Sequence, residues 1–173
     1  MEVKLKSLVT KELNKNIILQ ICKLKNTHWK FTLNKQILWF KENVKTDDIH
    51  NLCYLNKKLI GYTALRNIYY VFDKKDKSSK KKLLLFDTLI VDPKYRKKNL
   101  GVLMMKFNNL IINNENKPSY LICKKNMIKF YRSNNWILIS KKEINIQFKS
   151  QSFTSMIFNF KKKNNKKINI ILY

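Results

Sequence analysis

Glycine, proline and alanine are scarce in this chain. Its 173 residues include two glycines and two prolines, and Ala64 is the only alanine. No stretch has the composition of a flexible linker, so we expect one domain built around a single core. We assign residues 1–160 to that domain and residues 161–173 to a basic C-terminal tail. The tail ends in the apolar sequence INIILY, which would suit an added strand.

Cysteine and histidine are also sparse. Cys22, Cys53 and Cys123 are widely spaced and form no C-x-x-C pair, and only His28 and His50 accompany them. This pattern indicates no zinc site, and we expect no metal. Reduced thiols are typical of the cytoplasm, and no apolar run approaches the length of a membrane span. We therefore expect a cytoplasmic protein without membrane contact.

Acidic residues and arginine are few, and the formal net charge is +26. All but three of the basic residues are lysine; the exceptions are Arg66, Arg96 and Arg132. One interpretation is a genome rich in A and T, which favours lysine, asparagine and isoleucine codons. The other is a polyanion partner such as RNA or an anionic surface. Because specific phosphate or base recognition favours bidentate arginine, nucleic acid is not our preferred partner.

The stretch that organises the chain runs from Leu83 to Met105. An apolar run over Leu83–Val91 predicts a buried strand, and Asp92-Pro93 ends it because proline cannot donate a ladder hydrogen bond. A basic turn follows and leads into a helical pattern that begins near Gly101. The free N–H groups of such a turn and of the helix N-terminus form an anion site. The lysines and the arginine of the turn point to a phosphate ligand.

The segment from Val91 to Met104 resembles the acetyl-CoA motif of the GNAT superfamily of N-acetyltransferases, Q/R-x-x-G-x-G/A after a strand that ends V-x-P. Arg96 and Gly101 match this motif, and Asn99 stands where the family usually has its first glycine. Asparagine is the commonest residue other than glycine at positive φ, so we expect the turn to be kept.

A second GNAT signature, F/A-x-Y-x-x-x-G-F/W, is similar to Phe130–Trp136. Tyr131 occupies the tyrosine position, Trp136 the aromatic one, and Asn135 replaces the glycine. Asparagine there would still tolerate the left-handed stop of a helix.

The resemblance implies an α/β fold, with a mixed, largely antiparallel central sheet of about six to seven strands and about four helices. It implies direct transfer of an acetyl group from acetyl-CoA to a primary amine in a ternary complex, since no cysteine stands where the motifs place a nucleophile. We favour a small acceptor such as an amino sugar, with a peptide N-terminus or lysine as the alternative. A non-catalytic basic module that binds RNA is the alternative from another class. The acyl chain of the donor and the oligomeric state stay open.

The resemblance also implies site residues. The cofactor set comprises the end of the central strand, the basic turn and one later residue: Leu89, Ile90, Val91, Arg96, Lys97, Lys98, Asn99, Leu100, Gly101, Val102 and Asn126. The acceptor set lies on the first two helices and the loop between them: His28, Trp29, Gln36 and Trp39. The alternative is that both tryptophans only pack in the core or in a lid.

Two residues are candidates for moving protons. Tyr131 would donate a proton to the departing thiolate; the alternative is a tyrosine of the core. Asp87 would take the proton of the amine, because burial in an apolar strand would raise its pKa. The alternative is a structural ion pair between Asp87 and Arg66. The other candidate bases are Glu143, His28, His50 and a water relay.

Local patterns predict the remaining elements. Before the central strand we expect a strand over Val3–Leu8, a helix capped by Thr10, and a second helix with an apolar stripe at Leu33, Ile37, Phe40 and Val44. Strands His50–Leu55 and Leu59–Phe72 follow, joined by a hairpin turn, and then an exposed loop over Asp73–Lys81.

After the third helix we expect a strand over Ser119–Cys123 and a short helix over Met127–Asn134 capped by Asn126. A strand pair over Trp136–Phe148 and Ser152–Phe160 completes the predicted elements.

Overall fold

The computed structural model describes residues 2–72, 79–145, 153–160 and 167–171, and this part of the chain holds four α-helices and nine β-strands. The helices are α1 (Lys15–Asn26), α2 (Leu33–Asn43), α3 (Leu100–Asn114) and α4 (Ile128–Arg132). The strands are β1 (Val3–Val9), β2 (Ile49–Leu55), β3 (Lys58–Val71), β4 (Lys81–Val91), β5 (Ser119–Lys124), β6 (Ile137–Ile139), β7 (Ile144–Asn145), β8 (Phe153–Phe158) and β9 (Ile168–Ile171). None of the described helices is long and apolar enough to cross a membrane.

The chain divides into two compact units. Unit 1 comprises Met1–Arg66 and Asp87–Ile111, and unit 2 comprises Asn67–Phe86 and Ile112–Tyr173. Strands β3 and β4 contribute to both units. Both units contain helices and hydrogen-bonded strands. Among the described residues, β1–β2, β2–β3, β3–β9, β5–β8 and β6–β8 pair antiparallel, whereas β4–β5 and β7–β9 pair parallel. The predicted α/β class with a mixed, largely antiparallel sheet is thus confirmed.

In unit 1 the strands follow the order β1, β2, β3, β4. Neighbouring residues of β4 enter different hydrophobic clusters, as alternation along a strand requires. Ile90 packs in a cluster with residues of α1 and α2 such as Ile21 and Phe40. Leu89 and Val91 pack in a cluster with Leu100 and Met104 of α3. The end of the central strand is therefore held between two helical layers.

Gly61 of β3 explains how closely α3 approaches the sheet. A Cβ atom at Gly61 would lie 3.1 Å from the Cβ of Cys53 and 3.4 Å from the Sδ of Met104. The distance to Cys53 is tight, and the distance to Met104 is at the edge of ordinary van der Waals contact. A side chain at position 61 would therefore crowd β2 and fill the space beside the Met104 side chain of α3.

The first helix begins later than its sequence predicted. Asn14, and not Thr10, caps α1: its Oδ1 accepts a hydrogen bond from the Ile17 N–H at 2.9 Å. Thr10 begins a single 3-10 turn, and its hydroxyl lies 2.8 Å from Nε2 of His50. Because the Thr10 side chain is engaged with the sheet, it is not available as a helix cap.

The hairpin between β2 and β3 is confirmed. Asn56 and Lys57 form its two-residue turn with φ of 46° and 65°, and Leu55 pairs with Lys58. Positive φ at both central residues is the type I′ geometry that suits the twist of paired strands.

In unit 2, β5 pairs with β8 and β8 with β6, both antiparallel, and β4 runs parallel to β5 with Leu84 opposite Ser119. The β6–β8 pair confirms the predicted strand pair within the described residues; positions 146–152 lie outside them. Short strands β7 and β9 raise the strand number above the expected six to seven, and β9 pairs with β3. Six positions of the predicted exposed loop, 73–78, also lie outside the described residues.

The short helix of the second motif is shorter than predicted, and Asn126 does not cap it. Asn126 lies in a 3-10 turn, Lys125–Met127, and α4 begins at Ile128 without a side-chain cap. The end of α4 matches expectation. The N–H of Asn135 bonds to the Arg132 carbonyl, and the N–H of Trp136 to the Tyr131 carbonyl, at 3.0 and 3.1 Å. With φ of 67° at Asn135, this is a Schellman motif.

Candidate active site

The basic turn after β4 starts on Asp92. Its Oδ1 accepts a hydrogen bond from the Lys94 N–H at 3.0 Å, and its Oδ2 pairs with Lys58 Nζ at 3.0 Å. Burial alone raises the pKa of Asp92, but the bonds from Lys58 and the Lys94 N–H outweigh it and bring the pKa below its usual range. The Asp92 N–H also donates to the Ile60 carbonyl at 2.8 Å. The end of β4 is thus fixed where the turn begins.

Two residues of the turn adopt the left-handed conformation. Lys97 has φ of 62° and Asn99 has φ of 58°, as expected for an asparagine in place of the first motif glycine. The Leu103 N–H donates to the Asn99 carbonyl at 3.0 Å, so the first hydrogen bond of α3 starts at Asn99. The N–H groups of Leu100, Gly101 and Val102 therefore have no partner within the helix.

Gly101 lies in the first turn of α3, and its φ is not positive. Its missing side chain consequently matters for how closely a ligand can approach the helix N-terminus, and not for the backbone conformation. Lys97 and Lys98 are exposed beside it. Arg96 is exposed as well, and its Nε donates to the Val91 carbonyl at 3.2 Å, which braces the two ends of the turn.

A cavity of about 400 Å³ lies within unit 1, between the first two helices and the central strand. Three of the four predicted acceptor residues, Trp29, Gln36 and Trp39, line it together with Asp87. The other lining residues were not predicted: Lys25, Phe31, Lys35 and Thr88. Gln36 is buried, and its Nε2 donates to the Trp29 carbonyl at 3.1 Å, which ties α2 to the loop that carries Trp29.

Lys25 of α1 is the most buried charged residue of this cavity, with 7% of its surface exposed. Its Nζ lies 3.7 Å from the centroid of the Trp39 ring and 5.9 Å from that of Trp29. Burial lowers the pKa of Lys25, and the charge of Asp87 opposes that shift. The ammonium of Lys25 is thus held between indole rings, a favourable place for a cation.

Asp87 faces this cavity but is exposed. The prediction that Asp87 is buried in its strand is therefore wrong, because the side chains of β4 alternate and the neighbouring Phe86 and Thr88 take the buried positions. The alternative ion pair with Arg66 is also wrong. Arg66 lies 3.6 Å from Oδ2 of Asp48 and donates to the Asn43 carbonyl.

The two histidines differ. His28 is exposed and stacks edge-on against Trp29, at 4.8 Å between ring centroids, but does not line the cavity. His50 is fully buried, with its ring nitrogens 2.8 Å from the Thr10 hydroxyl and the Tyr62 hydroxyl. Burial, with a smaller effect from Lys25, lowers the pKa of His50 to about 4. Because both nitrogens are engaged, His50 is not accessible as a base.

Tyr131 and Asn126 belong to unit 2, as does Glu143. Tyr131 is buried, and its ring lies 6.2 Å from Phe86 and 6.5 Å from Trp136. Burial, with a smaller effect from Cys123, raises the pKa of Tyr131 to about 12. Asn126 is exposed, and Glu143 accepts a hydrogen bond from the Ser140 N–H at 3.1 Å. The roles predicted for Tyr131 and Asn126 stay predictions.

A second cavity of about 310 Å³ lies beside the start of the basic turn. Residues of α1 and of the strand ends line it: Gln20, Lys23, Leu24, Thr27, Lys58, Leu59 and Asp92. Among the described residues, no three His, Cys, Asp or Glu side chains form a group that could hold a metal ion. Cys22, Cys53 and Cys123 are free and buried.

Comparison with solved structures places the fold. ElaA from Escherichia coli matches with a TM-score of 0.64 and 16% identity, over 90% of this chain and 99% of that one. Naa50 from Arabidopsis thaliana, in complex with the bisubstrate analogue CoA-Ac-MVNAL, matches with a TM-score of 0.62 and 18% identity, over 92% and 100%. The PaiA N-acetyltransferase from Thermoplasma acidophilum, in complex with coenzyme A, matches with a TM-score of 0.57 and 15% identity, over 91% and 98%.

No protein-family model matches the sequence, and no curated protein matches it either. The likeness is therefore one of backbone, and it extends over nine-tenths of the chain. It agrees with both sequence motifs, whose glycine positions hold Asn99 and Asn135 at positive φ. This protein has the fold of the GNAT acetyltransferases.

Proposed function

We propose that this protein is an N-acetyltransferase that moves an acetyl group from acetyl-CoA to a primary amine. The observation that carries the proposal is the turn between β4 and α3. It combines two left-handed residues, an open helix N-terminus and a glycine in the first helical turn, on a fold shared with an N-acetyltransferase that was solved with coenzyme A.

The turn suits a pyrophosphate. The N–H groups of Leu100, Gly101 and Val102 point out of the helix N-terminus, where the helix dipole favours an anion. Lys97 and Lys98 add positive charge beside it. Acetyl-CoA supplies a thioester, whose carbonyl carbon is open to attack by an amine. We expect the backbone of Leu89, Ile90 and Val91 to hold the pantetheine part, as an extended ligand adds to a strand.

The cavity suits the acceptor. Its volume of about 400 Å³ is that of a small-molecule site, which supports a small amine over a protein surface. Asp87 offers a carboxylate to the amine, either directly or through water. The amine nitrogen would attack the thioester carbon and lose a proton toward Asp87. The C–S bond would then break, and Tyr131 would give its proton to the thiolate.

A peptide acceptor is the second candidate. The bisubstrate analogue in Naa50 carries the peptide MVNAL, and that protein shares this fold. Comparing kcat/KM for amino sugars and small amines with kcat/KM for short peptides would distinguish the two.

The test of the donor site is binding of acetyl-CoA to a Gly101→Val variant. For the wild type, acetyl-CoA at about 100 times its Kd should raise Tm by roughly 5–10 °C. The valine side chain would obstruct the N–H groups of the helix N-terminus, so the shift should vanish. Leu110→Val is the matched control, because it places the same β-branched residue at an exposed position of α3. An unchanged shift in a folded Gly101→Val protein would refute the donor site.

A further inference from the structure

The cavity that we assign to the acceptor contains opposite charges that form no ion pair with each other. Lys25 and Lys35 bring positive charge, and Asp87 brings negative charge. Within the described residues, Lys25 Nζ has no carboxylate within ion-pair distance and no hydrogen-bond acceptor; its contacts are the rings of Trp29 and Trp39. Asp87 likewise has no ion pair or hydrogen bond in the same part of the chain.

Lys25 is 7% exposed and lines the cavity, so only water in the cavity or a bound molecule supplies oxygen partners to its ammonium. Indole rings stabilise a cation through one face, but they leave the other N–H bonds without oxygen partners. Burying such a group without hydrogen bonds costs free energy, and a ligand that supplies an anionic oxygen recovers it. The unmet requirement therefore lies inside the cavity, where a bound molecule would meet it.

The other charges around the cavity do not meet this requirement. Arg66 lies on the Trp39 ring, at 5.8 Å from its centroid, but it is engaged with Asp48 and with the Asn43 carbonyl. Lys35 is exposed and adds positive charge on the α2 side. Trp29, Phe31 and Trp39 form the apolar walls, so the cavity offers a positive group, a negative group and aromatic surface.

We propose that the acceptor amine carries an acidic group and an apolar body, as an aromatic amino acid does. In this arrangement Lys25 binds the acidic group, Asp87 faces the amine, and the three aromatic side chains hold the apolar body. The inference rests on the proposed acetyl transfer for its chemistry, but the binding preference is measurable without turnover. A phosphate on an amino sugar would also present a negative charge to Lys25, and the experiment below distinguishes a carboxylate from a phosphate.

The first experiment measures binding by intrinsic fluorescence, because Trp29 and Trp39 line the cavity. The probes are L-phenylalanine and phenethylamine, which differ by the carboxylate, and glucosamine 6-phosphate and glucosamine, which differ by the phosphate. We expect L-phenylalanine to bind roughly ten to a hundred times more tightly than phenethylamine, the range for a hydrogen-bonded charge. If only glucosamine 6-phosphate binds more tightly than its partner without the acidic group, the acceptor has an acidic group but no apolar body.

The second experiment removes the charge. Lys25→Met keeps the alkyl stem and should abolish the preference for the carboxylate, whereas Lys25→Arg should retain part of it. Lys15→Met, at the exposed start of the same helix, should leave it unchanged. If Lys25→Met does not fold, Lys25→Gln takes its place. Equal binding of L-phenylalanine and phenethylamine, or a preference that survives Lys25→Met, would overturn the proposal.

Turnover separates this inference from the proposed function. If acetyl-CoA is consumed with phenethylamine as readily as with L-phenylalanine, the transferase is supported and the acidic group is refuted. If no amine is acetylated but the binding preference follows Lys25, the acid site stands and acetyl transfer is refuted.

Discussion

The hydroxyl of Tyr131 holds its proton at neutral pH, as any tyrosine with a pKa near 10 does. Burial, with a smaller effect from Cys123, raises the pKa of Tyr131 further, to about 12. A general acid must hold its proton until the thiolate leaves. Tyr131→Phe keeps the ring among Phe86 and Trp136 but removes that proton. We expect kcat to fall by roughly one to three orders of magnitude, while the Tm shift with acetyl-CoA stays unchanged.

Tyr120→Phe is the control for Tyr131→Phe. Tyr120 is also buried, its pKa is likewise raised to about 12 by burial, and its hydroxyl lies 3.0 Å from Ser155. Its loss should affect stability but not kcat. A Tyr131→Phe enzyme with the wild-type kcat would make Tyr131 a core residue only.

At the level of residues, the sequence indicated positions where a motif or a resemblance singles them out, and not elsewhere. Trp29, Gln36 and Trp39, which the resemblance implied together, line one cavity, and their role in binding the acceptor stays a prediction. Lys25 could not be singled out, because lysine is so common in this chain that its position carries no local signal. The exposure of Asp87 depends on which face of β4 is covered, and long-range packing decides that.

At the scale of elements, the basic turn depends on the anchor at Asp92. Asp92→Ala removes the hydrogen bond to the Lys94 N–H and the ion pair with Lys58, whose side chain is half exposed. A lost cap of this kind costs about 1 kcal/mol, and the partly exposed pair adds less than that. We expect a loss of about 1–2 kcal/mol in unfolding free energy at pH 7, together with weaker binding of acetyl-CoA.

The loss of unfolding free energy in Asp92→Ala should become smaller as the pH falls. Because the pKa of folded Asp92 is lowered, its contribution is fully present above the unfolded pKa of about 3.9 and is lost as pH falls through the folded value. Wild type and Asp92→Ala should therefore converge at strongly acid pH. Glu42→Ala, an exposed position on α2, should show no comparable difference from wild type by urea denaturation.

The β2–β3 hairpin carries a removable strain. Lys57 adopts φ of 65° in the type I′ turn, a position at which glycine has no steric penalty. Lys57→Gly should raise the unfolding free energy by roughly 0.5–1 kcal/mol. Lys142→Gly, in an exposed turn whose residues are not left-handed, is the control and should not stabilise the protein. Thermal unfolding of both variants decides the point.

Elements were predictable where apolar periodicity and turn residues agreed. The strand over Leu83–Val91, its stop at Asp92-Pro93 and the following helix combine three such signals. Helix starts were less predictable, because Thr10 and Asn14 are both good caps by type. Thr10 does not cap the helix because its hydroxyl contacts His50, which is forty residues away along the chain.

At the scale of the whole molecule, His50 couples stability to pH. Burial, with a smaller effect from Lys25, lowers its folded pKa to about 4, whereas the unfolded value is about 6.5. Between these values the unfolded chain binds more protons, so the unfolding free energy should fall as pH drops from about 6.5 to 4. The loss should reach about 3 kcal/mol and then level off.

Replacing His50 separates this effect from other acid effects. His50→Gln loses the titrating group while a polar side chain remains, so its constant cost should appear at every pH and the extra slope between pH 4 and 6.5 should disappear. Urea unfolding at several pH values measures both. An unchanged slope in His50→Gln would assign the acid sensitivity to other groups.

The net charge of +26 affects the molecule as a whole, because like charges repel in the folded state. A codon bias and a polyanion partner predict different behaviour. Salt-sensitive binding to RNA without affinity for acetyl-CoA would favour the binding module over the transferase. The cavity, the basic turn and the fold instead support the proposed acetyl transfer. In that case the net charge would have no specific partner, and salt would screen it.

The left-handed asparagines have a consequence for how such a chain changes over time. Asn99 and Asn135 stand at the glycine positions of the two motifs, and both have positive φ. What Asn99 and Asn135 share with a glycine is the ability to adopt this torsion angle. Mutational pressure toward A/T-rich codons can therefore replace the glycines of a motif by asparagine and leave the backbone conformation unchanged. Relatives of this protein would be found by asking which residues tolerate that torsion angle, and not by asking for glycine.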